Sequence, residues 1–283
     1  MANVAVYIIH TDDSRTERVM MMFKNDLFLI NEIEIVPPTA CPYKLENKDD
    51  SFEFYQFVKC LNDSKNKYPN SPVIVVKDSS ITVSTPDTIT EVILNSLKKD
   101  NWDIFYLSKY MDLCSQYNNY FDVPETSIKI VHTTSPYGTQ ALMFTPDMRD
   151  IIIGDSKMKD GRRFEVANSA NLNLTLNRYI EDGKINAITT TPNLITPDPD
   201  SATDNIDYEK SNECRLPDEV VVVQKSNNTA FWIFVASVAV LLIIGLFFIY
   251  KRNSSGAMPE LAQKGELSLG GDSFRKALLE PKN

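Results

Sequence analysis

The chain has 283 residues, enough for one large domain or two small ones, and a formal net charge of −9. This acidic balance repels phosphate backbones, so we expect no nucleic-acid partner. The four cysteines, Cys41, Cys60, Cys114 and Cys214, include no C-x-x-C pair, and no histidine lies at ligand spacing. The spacing therefore indicates neither a zinc site nor a disulfide framework.

Taken in chain order, short apolar runs alternate with segments of helical periodicity. The region 112–124 is polar and aromatic and predicts an insertion loop. Two later helices should start at Thr85–Pro86 and Thr145–Pro146, because threonine caps a helix and proline suits its first position. Ser14 is the expected N-cap of the first helix. We expect strands at 4–9, 32–36, 73–76, 102–107, 128–131, 140–144 and 187–195, and helices at 15–25, 51–67, from 86, from 146 and at 171–181.

Strands that alternate with helices over about 195 residues predict an α/β domain, with a mainly parallel sheet and helices on both faces. Ligands of such folds bind at the carboxyl ends of the strands. The apolar run at 73–76 stops abruptly at Lys77-Asp78-Ser79-Ser80. Residues 11–13, 77–80 and 137–139 should therefore surround one cleft.

Residues 230–250, AFWIFVASVAVLLIIGLFFIY, contain no charge over 21 residues. As a helix this segment would be about 31 Å long, close to the roughly 30 Å of a bilayer's hydrocarbon core. Trp232 and Tyr250 lie near its ends, where aromatic rings favour the interface. We therefore predict a C-terminal transmembrane helix that contacts the lipid bilayer through Ala230 to Tyr250. The predicted organisation is a domain at 1–195, a proline-rich acidic linker at 196–229, the span at 230–250 and a short disordered tail at 251–283.

The membrane topology follows from two opposing signals. The first residues have no basic region and too short an apolar run for a signal peptide, so we expect a single-pass protein whose domain lies in the cytosol. Lys251 and Arg252 follow the span directly, and the positive-inside rule favours the reverse orientation.

Four segments occur in order: VYIIHTDDSRTERVMMM from Val6, VIVVKDSSITV from Val73, NWDIFYLSKY from Asn101 and YGTQALMF from Tyr137. Together they resemble glycosyltransferase family 25, the procollagen and lipooligosaccharide galactosyltransferases, whose fold is GT-A. That family has an opening strand with an arginine-bearing turn, an apolar strand ending in EDD, a WDilyLg strand and a GThaY strand. The resemblance covers about residues 3–195, and large eukaryotic DNA viruses encode divergent domains of this kind, which suggests a viral origin.

The resemblance implies a donor cleft but departs from the family where metal chemistry is needed. A GT-A enzyme uses a carboxylate pair to hold Mn²⁺ or Mg²⁺ against a nucleotide-sugar diphosphate. Here Lys77, Asp78 and Ser79 occupy the EDD position, so we predict no metal site. Asp198-Pro199-Asp200 reads D-x-D, but we expect it in the linker with no preceding buried strand. The residues carried over to the donor cleft, whether vestigial or in use, are Thr11, Arg18, Lys77, Asp78, Ser79, Gly138 and Thr139.

Three roles are open for Lys77. It can form a salt bridge with Asp78 or another acid, replace the metal as a fixed charge on a diphosphate, or face solvent in a decayed cleft. The basic stretch 157–163 reads as a solvated surface loop.

Three functions follow from these patterns. The first is a membrane-anchored, catalytically degenerate glycosyltransferase-like protein with a structural or interaction role and protein partners. In a virus it would be a minor capsid component that links the capsid to the inner membrane of the virion. The second is an active membrane-bound glycosyltransferase that uses a nucleotide-sugar donor with or without Mn²⁺. The third is a carbohydrate- or nucleotide-binding module without turnover. The lost carboxylates favour the first, for which we expect no cofactor.

Overall fold

The computed structural model describes residues 3–34, 41–110, 112–167 and 171–201. All of them belong to one compact unit. The predicted span at 230–250, the tail at 251–283 and most of the predicted linker lie outside these residues. Within the described ranges, every helix is too short or too polar to cross a bilayer.

The described residues form ten strands, five α-helices and two short 3-10 helices, Cys114–Gln116 and Pro199–Ser201. The strands are β1 (Val4–His10), β2 (Phe28–Glu34), β3 (Val73–Lys77), β4 (Ser80–Thr82), β5 (Ile104–Tyr106), β6 (Asn118–Asp122), β7 (Lys129–Thr133), β8 (Ala141–Phe144), β9 (Ala187–Thr191) and β10 (Ile195–Pro197). The helices are α1 (Asp13–Met22), α2 (Lys48–Lys67), α3 (Pro86–Leu97), α4 (Pro146–Ile152) and α5 (Leu172–Glu181).

The central sheet has eight strands in the order β2-β1-β3-β8-β5-β9-β7-β6, and β4 pairs separately with β10. Strand β1 pairs in parallel with β2 and β3, and β5 pairs in parallel with β9. Strands β8 and β7 run against their neighbours, so six of the eight strands share one direction. The prediction of a mostly parallel α/β sheet is confirmed.

Helices cover both faces of this sheet, because successive strand side chains point to opposite sides. On β1, the side chains of Val4, Val6 and Ile8 join a core with α1 and α3. The alternate side chains, Ala5 and Tyr7 among them, join a second core with α2, α4 and α5. Complete burial of an aliphatic side chain contributes about 1.5–3 kcal/mol, so these two cores hold the sheet in place.

The predicted N-cap residue is confirmed for α3 and α4 and is wrong for α1. Thr85 and Thr145 cap α3 and α4, and each is followed by proline. The N-cap of α1 is Asp12 rather than Ser14, since the Asp12 side chain accepts the backbone N–H of Arg15. The helix therefore begins at Asp13, ahead of the start at Arg15 that the capping-box pattern predicts.

Two further expectations for the region 112–124 are wrong. This region contains β6, which pairs with β7 at the edge of the sheet across a bulge, instead of a simple insertion loop. Cys114 is disulfide-bonded, whereas Cys41 and Cys60 are free. The sequence gives no signal for this bond, because Cys114 belongs to no recognisable cysteine motif.

Candidate functional site

The end of β3 directs two charged side chains to opposite faces of the sheet. Lys77 continues the face of Val73 and Val75 and reaches toward α2, where its Nζ lies 2.5 Å from Oε1 of Glu53. The hydroxyl of Thr139 donates to the same Glu53 oxygen at 2.6 Å and lies 3.4 Å from Nζ of Lys77. Lys77 is therefore half of an ion pair, and its acid is Glu53 rather than Asp78.

The ionisation of Glu53 reflects this environment. Desolvation opposes the charged form of its carboxyl, but the charge of Lys77 and the hydrogen bonds from Lys77 and Thr139 outweigh it. The pKa of Glu53 is consequently held below the ordinary glutamate value. Glu53 is therefore a carboxylate at neutral pH.

Asp78 points to the other face and holds the loop between β1 and α1. Its side chain accepts the backbone N–H of Thr11, the hydroxyl of Thr11 at 2.8 Å and the backbone N–H of Asp12 at 2.8 Å. The residue is 2% exposed. Both N–H groups donate to Oδ2, and the carboxylate is thereby held by its own loop, as a buried carboxylate requires.

Among residues 3–34, 41–110, 112–167 and 171–201, no group of three or more His, Cys, Asp or Glu side chains is placed to hold a metal ion.

Ser79 joins the end of β3 to two other segments. Its hydroxyl accepts a hydrogen bond from the Gln140 amide at 2.7 Å, and its carbonyl accepts the backbone N–H of Asp198 at 2.7 Å. Asp198 directly follows β10, whose first two residues are buried. The expectation that Asp198 has no preceding buried strand is therefore wrong.

Asp198 also has a charged partner. The Arg18 guanidinium of α1 forms an ion pair with the Asp198 carboxylate. The Asp198 side chain is 8% exposed and that of Arg18 is 44% exposed. The arginine that matches the family's opening motif therefore connects α1 to the end of β10.

Gly138 lies at a close approach of two backbone segments. Its φ is +130°, and a Cβ at this position would lie 3.2 Å from the carbonyl oxygen of Ser108 and 3.3 Å from Cα of Lys109. Its N–H donates to Oδ1 of Asn173 at 2.9 Å, and Nδ2 of Asn173 donates to the Tyr110 hydroxyl at 3.1 Å. Only glycine fits this position without displacing backbone.

The predicted cleft residues are thus joined in pairs by internal contacts. Thr11 contacts Asp78, and Lys77 contacts Thr139. Arg18 and Ser79 are linked through Asp198, while Gly138 contacts α5. The residues that complete these contacts were not anticipated. For Glu53 a signal existed, because it lies four residues before Phe57 and eight before Leu61 on the buried face of α2. The missed partners are Glu53, Gln140, Asn173 and Asp198.

An open groove of about 550 Å³ lies beside this edge of the sheet. Its walls are the start of α3, the β6–β7 loop and the residue that follows β9. Six serine or threonine side chains and one carboxylate line it, with no basic residue. Such a surface suits a neutral, hydroxyl-rich ligand better than a phosphate. The lining residues are Thr82, Val83, Ser84, Thr85, Thr88, Glu125, Thr126, Ser127, Ile128 and Pro192.

Comparisons with known proteins identify no family. No protein-family model matches the chain, and no curated protein matches it. Among solved structures, A197 from STIV matches with a TM-score of 0.35 and 13% identity, over 66% of this chain and 81% of that one. UDP-glucose pyrophosphorylase matches at 9% identity, as the apo form (TM-score 0.28, 66% of this chain, 72% of that one) and complexed with UDP-glucose (TM-score 0.31, 67% and 90%). Similarities this weak carry no functional argument, and the chain is defined here as a mixed α/β protein with a mostly parallel central sheet.

Proposed function

We propose that the domain is a catalytically degenerate glycosyltransferase-like domain of the GT-A type with a structural or interaction role. The observation that carries this proposal is the use of Asp78. Its carboxylate, at the position where the resembled family places a metal ligand, accepts hydrogen bonds from Thr11 and Asp12 inside the protein. A buried carboxylate already committed to hydrogen bonds with a loop is unsuited to bridge a metal and a diphosphate.

Lys77 gives independent support for the same proposal. A lysine that replaces the metal must present its charge to a diphosphate. Here Glu53 neutralises that charge at 2.5 Å. A metal-independent transferase, the second function considered from the sequence, would have to break this pair whenever a donor binds.

The setting of the domain is part of the proposal. Residues 230–250 would anchor the chain in a membrane, with the acidic domain in the cytosol and protein partners on its surface. In a large DNA virus, this arrangement suits a minor capsid protein that links the shell to the inner membrane.

The open groove favours a second candidate, a carbohydrate-binding module without turnover. Glu125 and the hydroxyls of Ser84 and Ser127 offer donors and acceptors to sugar hydroxyls, and Val83 and Pro192 offer apolar contact. A neutral oligosaccharide would bind there without any metal.

Thermal unfolding of the detergent-solubilised full chain separates these functions. A nucleotide sugar at a hundred times its dissociation constant would add about 2.7 kcal/mol of stability and raise Tm by roughly 5–10 °C. The degenerate domain should show no shift with nucleotide sugars, with or without Mn²⁺. A shift with one donor that Lys77→Ala abolishes would contradict the proposal and favour the metal-independent enzyme. A shift with neutral oligosaccharides that Glu125→Gln abolishes would favour the binding module.

A further inference from the structure

A compact loop at 157–163 carries a cluster of cations on a protein that is acidic overall. The Met158 N–H donates to the Arg162 carbonyl at 2.9 Å, and the Gly161 N–H donates to the Met158 carbonyl at 2.8 Å. Gly161 has a φ of +80°, which lets the chain reverse at that point. Met158 is buried, so the loop is fixed to the domain by its own side chain. The flanking cations are held on an ordered turn.

Four of the nearby cations face solvent. Lys157, Lys159 and Arg163 of the loop are exposed, as is Arg178 on α5. Within the described part of the chain, none of the four forms an ion pair. We call these four residues the basic face.

The pocket beside the loop has balanced charges. Its volume is about 220 Å³, and Arg178 of the basic face lines it together with Arg162, Lys184, Glu165 and Asp182. Arg162 pairs with Asp160 at 2.6 Å and Lys184 pairs with Asp182 at 2.5 Å. These three cations are matched by three acids, so the pocket offers little net charge to a single small anion. The basic face offers its charge outward, over two separate elements, which suits an extended surface of phosphates.

We propose that the basic face binds the anionic phospholipid headgroups of the membrane in which residues 230–250 insert. The inference rests on the proposed membrane anchor. Residues 202–229 are the 28 positions between the described domain and the proposed anchor, and a flexible chain of that length spans about 30 Å. At that effective concentration, weak attraction is enough to orient the domain. Each cation close to an anionic surface strengthens binding about fivefold.

Limited trypsin digestion of the full chain in nanodiscs tests the proposal, because trypsin cleaves after the loop cations themselves. Cleavage at 157–163 is compared between phosphatidylcholine nanodiscs and nanodiscs with about 30% phosphatidylserine. Cleavage after Lys44, in an irregular exposed segment, is the internal reference. We expect loop cleavage relative to this reference to slow at least about fivefold on the anionic lipid, and the protection to disappear in about 0.5 M salt.

Two variants of equal charge change control for general electrostatics. Lys157→Gln, Lys159→Gln and Arg178→Gln together should abolish the protection and leave Arg162 and Arg163 as cleavage sites. Lys24→Gln, Lys59→Gln and Lys98→Gln, at exposed positions elsewhere, should keep it. Equal loop cleavage on both lipids, or equal loss of protection in both variants, would overturn the basic face as a lipid-binding surface.

Two further experiments distinguish a membrane surface from free phosphate, and the basic face from the proposed membrane anchor. Millimolar inorganic phosphate on neutral nanodiscs should give no protection, and protection by phosphate would indicate a small-anion site instead of a membrane surface. Flotation with neutral vesicles in high salt tests the anchor alone. Failure to float would contradict the anchor and with it the tethered contact. If the chain floats but loop cleavage is the same on both lipids, only the lipid-binding role of the basic face would be contradicted.

Discussion

Arg18 on the first helix forms an ion pair with Asp198, 180 residues later in the chain. The Asp198 backbone N–H also donates to the Ser79 carbonyl, so one residue joins α1, the end of β3 and β10. This contact crosses the position where a donor cleft was predicted. The arginine that the family resemblance assigns to donor binding therefore has an internal partner.

A double-mutant cycle of Arg18→Ala and Asp198→Ala should measure this link. We expect Arg18→Ala to lower the free energy of unfolding by about 1 kcal/mol, a small value because its side chain is partly exposed. Asp198→Ala should lower the free energy of unfolding by more, since the Asp198 carboxylate also accepts the Asp200 N–H. The coupling energy from urea unfolding should be about 0.5–1 kcal/mol. Arg15→Ala, on the same helix, is the control and should show no coupling; additive effects of Arg18 and Asp198 would contradict the link.

Replacement of Lys77 should destabilise the protein in a pH-dependent way. Lys77→Gln leaves the desolvated Glu53 carboxylate without its cation, which should cost about 2 kcal/mol at pH 7. In the wild type the depressed pKa of Glu53 gives stability that is present above the ordinary glutamate pKa of about 4.3 and is lost as pH falls through the folded pKa. In the variant the pKa of Glu53 should rise, so protonation relieves the penalty.

Urea unfolding at several pH values from 7 to 4 checks the direction of this pH dependence. The stability difference between wild type and Lys77→Gln should shrink as pH falls. Glu53→Gln removes the charge of this side chain and keeps its size. When it is present in both proteins, the stability difference that Lys77→Gln causes should lose most of its pH dependence. A deficit that stays constant over this range would contradict a charged Lys77–Glu53 pair.

The free cysteines should differ sharply in reactivity. Burial and the nearby Asp63 carboxylate raise the pKa of the Cys60 thiol to about 12, whereas Cys41 is only half-buried. At pH 8, iodoacetamide should label Cys41 in the native protein and leave Cys60 unlabelled. Both should react in 6 M guanidinium, and Cys114 should react only after reduction. Mass spectrometry of labelled peptides checks this order, and rapid native labelling of Cys60 would contradict its buried position.

The sequence predicts correctly those elements whose signal is local. The Thr-Pro pairs at 85 and 145 define helix starts, because both residues act within one turn. The β-branched runs at β1 and β3 identify central strands, since both faces of these strands are buried. Strand β6 was missed because it lies at the sheet edge, carries a bulge and has polar residues among its aromatic ones.

The site depended on contacts that no local pattern encodes. Lys77 and Glu53 are 24 residues apart, and either Glu53 or Asp78 satisfies the expectation of an acidic partner. The alternation of side chains along β3 sends Lys77 and Asp78 to opposite faces and so decides between them. Asp198 was assigned to the linker because three residues, 195–197, are too few to read as a strand.

The central claim is that the Asp78 carboxylate stabilises the Thr11 loop instead of holding a metal. The most direct test compares wild type and Asp78→Asn in two measurements, the free energy of unfolding and the binding of UDP-sugars with Mn²⁺. The variant keeps the size of the side chain but presents an amide to donors. We predict a loss of about 3 kcal/mol in unfolding free energy and no Mn²⁺-dependent binding in either protein. Unchanged stability in Asp78→Asn, with Mn²⁺-dependent donor binding that only the wild type shows, would contradict the account.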